Sequence, residues 1–205
     1  MTGLRSGIGW WKRPFDLVLA AVMLAPCLLV GAVVGCLVGL RLGRPILFIQ
    51  ERPGLRGRPF RMVKFRTMAE LTEVAGRPVA ESARLTSFGR WLRASGLDEI
   101  PEIWNVIRGE MSFVGPRPLL MEYLPLYDAT QARRMDALPG ITGWAQVNGR
   151  HSASWSDRFA NDLWYVDHAT PWLDVRILAM TAIQVMGQSD ASPGRDTLER
   201  FRGNA

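Results

Sequence analysis

The stretch from Leu17 to Leu40, LVLAAVMLAPCLLVGAVVGCLVGL, contains twenty-four consecutive residues without a charge. As a helix that rises about 1.5 Å per residue, it would be about 36 Å long, which is enough to cross a hydrocarbon core of about 30 Å. The run is too long for the apolar region of a typical signal peptide, and it is followed by Arg41 and Arg44. The sequence therefore predicts that this segment lies in a membrane.

Two features around this run bear on how it lies in the membrane. Basic residues flank both ends, with Arg5, Lys12 and Arg13 before it and Arg41, Arg44 and Arg52 after it. Because basic flanks tend to stay in the cytoplasm, both ends are expected on the same side. Pro26 lies near the middle, where it removes a backbone hydrogen bond and bends the helix. These features indicate a re-entrant helix, although on these grounds alone a spanning helix with a proline kink fits equally well.

Composition narrows the class of protein further. The chain has 205 residues, of which 48% are apolar, and this is sufficient for one domain with one core. The formal net charge of +6 indicates an anionic partner, for which nucleic acid, phospholipid and a phosphorylated small molecule all qualify. Cys27 and Cys36 both lie in the apolar run, so we expect small apolar residues rather than a disulfide framework. Only His151 and His168 supply imidazole, which argues against a zinc site.

The segment after the apolar run has the pattern of a β-hairpin. Two strand-like segments, 46–50 and 60–66, are separated by turn residues at 53–57. Lys64 and Arg66 are two positions apart and would share one face of the second strand. Two interpretations of that face stay open, a pair of cations that bind one ligand and a solvated edge that resists aggregation.

Two later segments have helical character. In the segment 87–93 the residues Phe88, Trp91 and Leu92 form one apolar face, so that Arg90 and Arg93 point elsewhere, toward lipid headgroups or a phosphate. The segment 172–183 is too apolar for a fully solvated helix. It fits a place in the core or in the membrane interface.

An acidic pair stands in the stretch SGLDEIPEIWN, from Ser95 to Asn105. Asp98 and Glu99 directly precede an apolar, helix-like run. Acidic residues are favoured in the first turn of a helix, and Pro101 fits the same turn. The pair by itself therefore indicates no more than the start of a helix.

Two segments rich in Gly and Pro each contain an arginine. They are GEMSFVGPRP at 109–118, which includes Arg117, and PGITGWAQVNGR at 139–150, which ends at Arg150. A rigid backbone that holds a guanidinium suits phosphate recognition, because the guanidinium donates bidentate, charge-assisted hydrogen bonds. Either segment taken alone is equally consistent with a structural loop.

The ordered set of motifs in this chain resembles the small monotopic phosphoglycosyl transferases, also called bacterial sugar transferases. The motifs are Lys12-Arg13 with Phe15-Asp16, then KFRTM at 64–68, LDEIP at 97–101, FVGPRP at 113–118 and PGITGWAQVNGR at 139–150. The resemblance extends over nearly the whole chain. Five motifs in order are far more specific than any one of them.

The resemblance and the patterns above predict an α+β fold. They predict a membrane-anchored monotopic domain with an N-terminal re-entrant helix, amphipathic interfacial helices and a small β-hairpin. The expected divisions are a basic flank and re-entrant helix at 1–44, a catalytic domain on the cytoplasmic face at 45–187 and a C-terminal tail at 188–205.

The resemblance also implies a reaction. The enzyme would lie on the cytoplasmic face of the bacterial inner membrane and would use a UDP-sugar and Mg²⁺. It would transfer the sugar 1-phosphate to polyprenyl (undecaprenyl) phosphate and release UMP, the first membrane step in assembling a glycan. Membrane lipid is then an expected partner, and nucleic acid is not.

Roles for individual residues follow from the resemblance. Asp98 would be the nucleophile that forms an aspartyl-phosphosugar intermediate, and a carboxyl group with an ordinary pKa of about 3.9 is already ionised at neutral pH. Glu99 would help Asp98 to hold Mg²⁺ or would assist the acceptor. The substrate-binding positions would be Arg93, Arg117, Lys64, Pro116 and Arg150, with Lys64 equally consistent with a solvated strand lysine.

The chain departs from the family at the predicted membrane bend, Ala25-Pro26. The family often has Ser before this proline, where its hydroxyl bonds a freed backbone carbonyl, and Ala25 has no such group. Another group must compensate, or the bend is less firmly set.

A second hypothesis is a membrane-tethered basic binding protein for nucleic acid or anionic lipid. That function would account for the charge, but it leaves the acidic pair and the arginine turns unexplained.

Overall fold

The computed structural model describes residues 9–69, 73–74, 77–78, 84–148, 154–187 and 200–203. The helices in these ranges are α1 (Lys12–Leu42), α2 (Ser87–Ser95), α3 (Ile103–Arg108), α4 (Ala129–Ala132), α5 (Trp144–Asn148), α6 (Trp155–His168) and α7 (Pro171–Gly187). The strands are β1 (Leu47–Pro53), β2 (Pro59–Phe65), β3 (Glu73–Val74), β4 (Arg77–Pro78), β5 (Ser112–Val114) and β6 (Gly140–Thr142). Short 3₁₀ segments occur at Leu55–Gly57, Leu97–Glu102, Met121–Leu126 and Arg133–Asp136. The predicted α+β class is confirmed.

Helix α1 contains the whole apolar run and includes Pro26 without interruption. Within the described ranges it is the one helix long and apolar enough to cross a membrane. Its side chains from 21 to 30 are exposed, apart from the half-buried Cys27. The described protein therefore leaves an apolar surface of α1 uncovered, as expected of a membrane anchor.

A buried polar cluster fixes the first turns of α1 to the rest of the protein. Lys12 pairs with Asp174 of α7 and also lies 3.9 Å from Asp16. The Ser112 hydroxyl donates a hydrogen bond of 2.9 Å to Asp16, and the Tyr165 hydroxyl donates one of 2.7 Å to Asp174. Because the two buried carboxylates share one cation and accept further hydrogen bonds, the position of this end of α1 is closely defined.

The last turns of α1 pack against the same body. Val34 and Val38 are buried in a cluster with Phe65 of β2 and Leu92 of α2. A Cβ on Gly35 would lie 3.4 Å from the Phe65 ring, so the helix and the strand are in ordinary contact there. Both ends of the anchor helix are therefore attached to the domain.

Of the two interpretations of Lys64 and Arg66, the pair of cations that bind one ligand is wrong, because the two side chains have different partners. Arg66 lies just beyond the end of β2 and donates a hydrogen bond to the carbonyl of Leu42, the last residue of α1. The final carbonyls of a helix lack partners within the helix, so a guanidinium is well placed there. Lys64 instead points to the acidic residues described below.

The hairpin predicted after the apolar run is confirmed. Strands β1 and β2 are antiparallel, with Leu47 opposite Phe65. Asn105 of α3 attaches to β2, because its Oδ1 accepts from the Val63 N–H at 3.1 Å and its Nδ2 donates to the Arg61 carbonyl at 2.7 Å. These two hydrogen bonds hold α3, and with it the segment that precedes α3, against the hairpin.

A short parallel pair, β5 and β6, joins the two segments rich in Gly and Pro. Val114 lies opposite Thr142, and the Gly115 N–H donates to the Thr142 carbonyl at 2.9 Å. A Cβ on Gly115 would lie only 2.2 Å from the Leu138 carbonyl oxygen, so the close approach requires glycine. The turn that contains Arg117 is therefore held directly against the second segment.

Helix α7 contains the predicted apolar segment 172–183 and is longer at both ends. Leu173 and Ile177 are buried in a core with Val114 and Tyr165. On other parts of its surface Trp172, Ile183 and Met186 are exposed. The core face confirms one of the two environments that the sequence left open, and the same helix also has an uncovered apolar surface.

Helix α2 confirms the predicted helix over 87–93. The Thr86 side chain caps it by accepting from the Gly89 N–H at 3.0 Å. A Cβ on Gly89 would lie 1.9 Å from the Thr67 carbonyl oxygen. The helix is therefore packed against the main chain that follows β2.

We predict that Gly89→Ala destabilises the protein. Alanine improves helix propensity by about 1 kcal/mol, but the overlap with a main-chain oxygen must displace α2, at a cost of about 1–3 kcal/mol or more. The free energy of unfolding in detergent, measured by chemical denaturation and circular dichroism, should fall. In the control Gly187→Ala, the new Cβ meets nothing within 4 Å and should cause no loss. If Gly89→Ala also leaves the free energy of unfolding unchanged, the described packing of α2 against the Thr67 main chain is contradicted.

Candidate active site

The acidic pair stands on a tight turn between α2 and α3. Gly96 ends α2 in the left-handed conformation, with φ of 70°, and the chain turns directly into the 3₁₀ segment Leu97–Glu102. Asp98 and Glu99 occupy the first turn of that segment, where the unpaired N–H groups favour negative charge. Both carboxylates are nevertheless buried, with residue exposures of 7% and 6%. Such burial requires cations nearby.

Two cations converge on the Glu99 carboxylate. Lys64 Nζ and Arg117 Nη1 each lie 3.0 Å from Glu99 Oε1. Lys64 Nζ lies at the same distance, 3.0 Å, from Glu102 Oε1. Burial lowers the pKa of Lys64, but the surrounding carboxylates raise it by more, so Lys64 stays charged. The alternative of a solvated strand lysine is excluded, because the Lys64 side chain is only 13% exposed.

Asp98 has an altered acidity. Burial and the adjacent Glu99 carboxylate raise the pKa of Asp98 to about 6, although Lys64, Arg117 and Arg93 act in the opposite direction. The expectation of an ordinary carboxyl group is therefore wrong. At pH 7 roughly nine in ten molecules would still have Asp98 ionised, so it is available as an anion at neutral pH.

Arg93 enters the site from the last turn of α2. Its Nε donates to the Thr67 hydroxyl at 2.9 Å, and its charge acts on Asp98. Of the two arginines on this helix, Arg90 is exposed and bonds near the start of α2. The structure thus separates Arg93, which belongs to the site, from Arg90, which does not.

Glu102 is a site residue that no sequence motif singles out. It is 2% exposed, and burial is the main cause that raises its pKa to about 7. Glu102 follows Glu99 by three residues, and in a 3₁₀ segment positions i and i+3 are aligned on one side. That spacing was visible in the sequence, but the 3₁₀ geometry that aligns the two residues was not.

Of the remaining predicted positions, Pro116, Ala25 and Pro26 are among the described residues and Arg150 is not. Pro116 is buried, and its carbonyl accepts from the Gly140 N–H at 3.1 Å, so it shapes the turn around Arg117. Arg150 lies outside the described residues, as does most of the predicted tail at 188–205. Ala25 and Pro26 are exposed on α1.

The site lies next to the anchor helix. Ile100, in the same 3₁₀ segment as the acidic pair, packs against α1, and a Cβ on Gly31 would lie 3.4 Å from it. Gly31 directly follows the exposed apolar stretch 21–30. The acidic turn therefore lies beside α1, at the C-terminal end of its exposed apolar stretch.

The acidic pair has the donor chemistry that Mg²⁺ prefers. Magnesium is commonly held by one or two carboxylates together with substrate phosphates. The mutual repulsion and burial that raise the pKa of Asp98 are effects that a bound cation relieves. Within the described ranges no group of three or more His, Cys, Asp or Glu side chains is arranged to hold a metal. Two adjacent carboxylates fit an ion that shares its ligands with a substrate.

Buried carboxylates with Lys64, Arg93 and Arg117 around them and an apolar helix beside them fit one class of protein, membrane enzymes that act on phosphates. The family described as bacterial sugar transferase matches residues 8–188. The chain belongs to the bacterial sugar transferase family, and it is a phosphoglycosyl transferase. This assignment favours the enzyme over the basic binding protein.

Individual relatives agree with the family. The chain is 44% identical over 194 residues to the uncharacterized sugar transferase EpsL of Bacillus subtilis, covering 94% of this chain and 96% of that relative. It is 37% identical over 202 residues to the UDP-glucose:undecaprenyl-phosphate glucose-1-phosphate transferase of Caulobacter vibrioides, covering 91% and 74%. The protein of that same name in Xanthomonas campestris pv. campestris is 41% identical over 159 residues, which cover 72% of this chain but 33% of that longer relative.

We predict that Glu102→Gln changes how stability depends on pH. The pKa of Glu102 is about 7 in the fold and about 4.5 when unfolded, so its neutral form stabilises the fold below pH 4.5, and this contribution is lost as the pH rises through 7. Gln does not titrate. From pH 5 to pH 8 the variant should therefore gain stability relative to the native protein, by at most about 3 kcal/mol.

Chemical denaturation in EDTA at the two pH values measures this change. The matched control is Glu122→Gln, which removes a carboxylate from an exposed position. A difference for Glu102→Gln that stays constant between pH 5 and pH 8 would contradict the prediction.

Proposed function

We propose that the enzyme transfers a sugar 1-phosphate from a UDP-sugar to polyprenyl (undecaprenyl) phosphate and releases UMP, at the start of membrane glycan assembly. The observation that supports this best is the buried Asp98-Glu99 pair, contacted by Lys64 and Arg117 and lying beside α1. The names of the Caulobacter and Xanthomonas relatives describe this reaction with glucose.

We propose that Asp98 is the nucleophile. Its carboxylate oxygen attacks the β-phosphorus of the UDP-sugar, and the bond from that phosphorus to the oxygen bridging the α-phosphate breaks. UMP leaves with the electron pair of that bond. A phosphate oxygen of the acceptor then attacks the same phosphorus, and the Asp98 carboxylate is released. Because Asp98 has a pKa of about 6, this first attack needs no separate base at neutral pH.

The cations of the site reduce the main obstacle to this attack, which is repulsion between an anionic nucleophile and an anionic pyrophosphate. The guanidinium of Arg117 suits bidentate phosphate binding, and Lys64 and Arg93 add positive charge. Mg²⁺, held by Asp98 and Glu99, would neutralise phosphate charge and favour UMP as a leaving group. Alternatively, Glu99 would assist the acceptor.

We propose that α1 is re-entrant and that the catalytic domain lies on the cytoplasmic face of the bacterial inner membrane. Near its start Arg13 donates to the Val106 and Ile107 carbonyls, at 2.5 and 2.6 Å, and near its end Val38 is buried against the same domain. The stretch 21–30, in which every residue except Cys27 is exposed, is about 15 Å long, half of the hydrocarbon thickness. Two ends on one body and so short a free stretch favour entry and exit on one side.

Exposed apolar side chains outside α1 support a domain that lies in the interface. Trp172 and Met186 of α7 are 77% and 78% exposed, and Trp91 of α2 and Trp104 of α3 are also exposed. Tryptophan is favoured at the level of lipid headgroups. We propose that these helices contact the bilayer beside the anchor.

The reaction predicts Mg²⁺-dependent release of UMP by the purified protein with undecaprenyl phosphate and at least one member of a panel of UDP-sugars. Arg117→Ala should lower turnover about 100-fold, because a donor to the developing charge is lost, and Arg117→Lys should also be poor. Arg108→Ala is the control, since that side chain is 58% exposed. A protein that only bound lipid or nucleic acid would release no UMP with any sugar.

The topology predicts that both ends of α1 are cytoplasmic. In a background with Cys27 and Cys36 replaced by Ala, cysteines at the exposed positions Trp10 and Arg41 should resist a membrane-impermeant maleimide in spheroplasts and react after lysis. Pro26→Leu should increase the labelled fraction at position 10, because the helix straightens. Efficient labelling of position 10 in sealed spheroplasts of the unmodified helix would make α1 a spanning helix.

A further inference from the structure

Arg134 is a buried cation close to the site but outside it. Its side chain is 3% exposed and lies in the 3₁₀ segment Arg133–Asp136. Its Nε and Nη2 donate to Asp162 Oδ2 of α6, at 3.0 and 2.6 Å. This pair balances the buried charge, so any further contact of the guanidinium serves another purpose.

A further contact is to the main chain of Arg117. Arg134 Nη2 donates to the Arg117 carbonyl oxygen at 2.7 Å. Arg117 stands between Pro116 and Pro118, and a proline has no N–H with which to fix a turn. The Arg134 side chain therefore holds this turn by a hydrogen bond from a residue outside it.

Aromatic side chains restrict the movement of Arg134. Its guanidinium carbon lies 5.9 Å from the ring centroid of Tyr127 and 5.8 Å from that of Phe159. Phe159 in turn packs against Phe201 in an aromatic core. The guanidinium thus has one well-defined position, from which it bridges Asp162 and Arg117.

We propose that Arg134 is a positioning residue that sets the Arg117 guanidinium for phosphate binding, an inference that rests on the function proposed above. Arg134 acts through the main chain of Arg117, whose side chain reaches Glu99 at 3.0 Å. A displacement of the turn by about 1 Å is sufficient to cost up to about 100-fold in rate at a site of this kind.

Arg134→Lys separates positioning from charge. The ammonium keeps a cation for Asp162, but it lacks the planar fork that reaches Asp162 and the Arg117 carbonyl together. We expect kcat/KM for UMP release to fall about 10- to 100-fold, divided between kcat and KM as in Arg117→Ala. In the Arg117→Ala background, the added Arg134→Lys should change kcat/KM by less than about two-fold, because the residue that it positions is gone.

The neighbouring Arg133 offers a matched control. It lies in the same 3₁₀ segment and also pairs with an aspartate of α6, Asp167, but the pair is about half exposed. Arg133→Lys should leave kcat and KM unchanged. If Arg134→Lys does not fold, Arg134→Met combined with Asp162→Leu removes both buried charges, an exchange that is often neutral for stability, and the same kinetic pattern is expected.

A crystal structure of the variant tests the proposal without using the reaction. In Arg134→Lys, or in the double replacement, the Arg117–Glu99 contact of 3.0 Å should be lost or the turn displaced. An unchanged Arg117–Glu99 contact would overturn the proposal. So would a loss of kcat/KM on Arg134→Lys that is as large in the Arg117→Ala background as in the native enzyme. Absence of UMP release from the native enzyme would refute the proposed reaction instead, and the crystal comparison would still decide the role of Arg134.

Discussion

The Glu99 carboxylate is shared by two cations that come from distant parts of the chain. Lys64 of the hairpin and Arg117 of the proline-flanked turn each lie 3.0 Å from Glu99 Oε1. Loss of such partners from a buried carboxylate lowers the free energy of unfolding by several kcal/mol. The acidic turn, the hairpin and the arginine turn are therefore stable only when they are together. The same cations reduce the repulsion that an anionic nucleophile meets at a pyrophosphate. One electrostatic constraint therefore links the assembly of the fold to the proposed chemistry.

The charged residues that meet at Glu99 lie beside the anchor helix. Ile100 packs against α1 beside Gly31, so the acidic turn lies where the exposed apolar stretch ends. In the proposed reaction the polyprenyl tail of the acceptor stays in the bilayer, and only its phosphate has to reach Asp98. Extraction of the tail would cost about 0.8 kcal/mol for each CH₂ group. The attachment of both ends of α1 to the domain therefore has a mechanistic purpose in the proposal.

Local patterns predicted local structure well. The apolar run, the hairpin and the helices around Leu92 and Ile177 follow from hydrophobic periodicity and turn residues, and the structure confirms them. Contacts between distant segments were not accessible in the same way. Arg66 binds the end of α1, and β5 pairs with β6, because of three-dimensional packing that has no periodic signal. The raised pKa of Asp98 likewise depends on burial, which a sequence of adjacent acids does not reveal.

The central claim is that Asp98 becomes covalently linked to the phosphosugar. The most direct test is intact-protein mass spectrometry with rapid-quench UMP analysis, using enzyme, UDP-sugar and Mg²⁺ without polyprenyl phosphate. The account predicts a burst of at most about one equivalent of UMP and a protein that gains the mass of the phosphosugar. Folded Asp98→Asn should give neither signal. UMP release that depends strictly on the lipid, with no modified protein at any time, or native turnover by Asp98→Asn, would contradict the account.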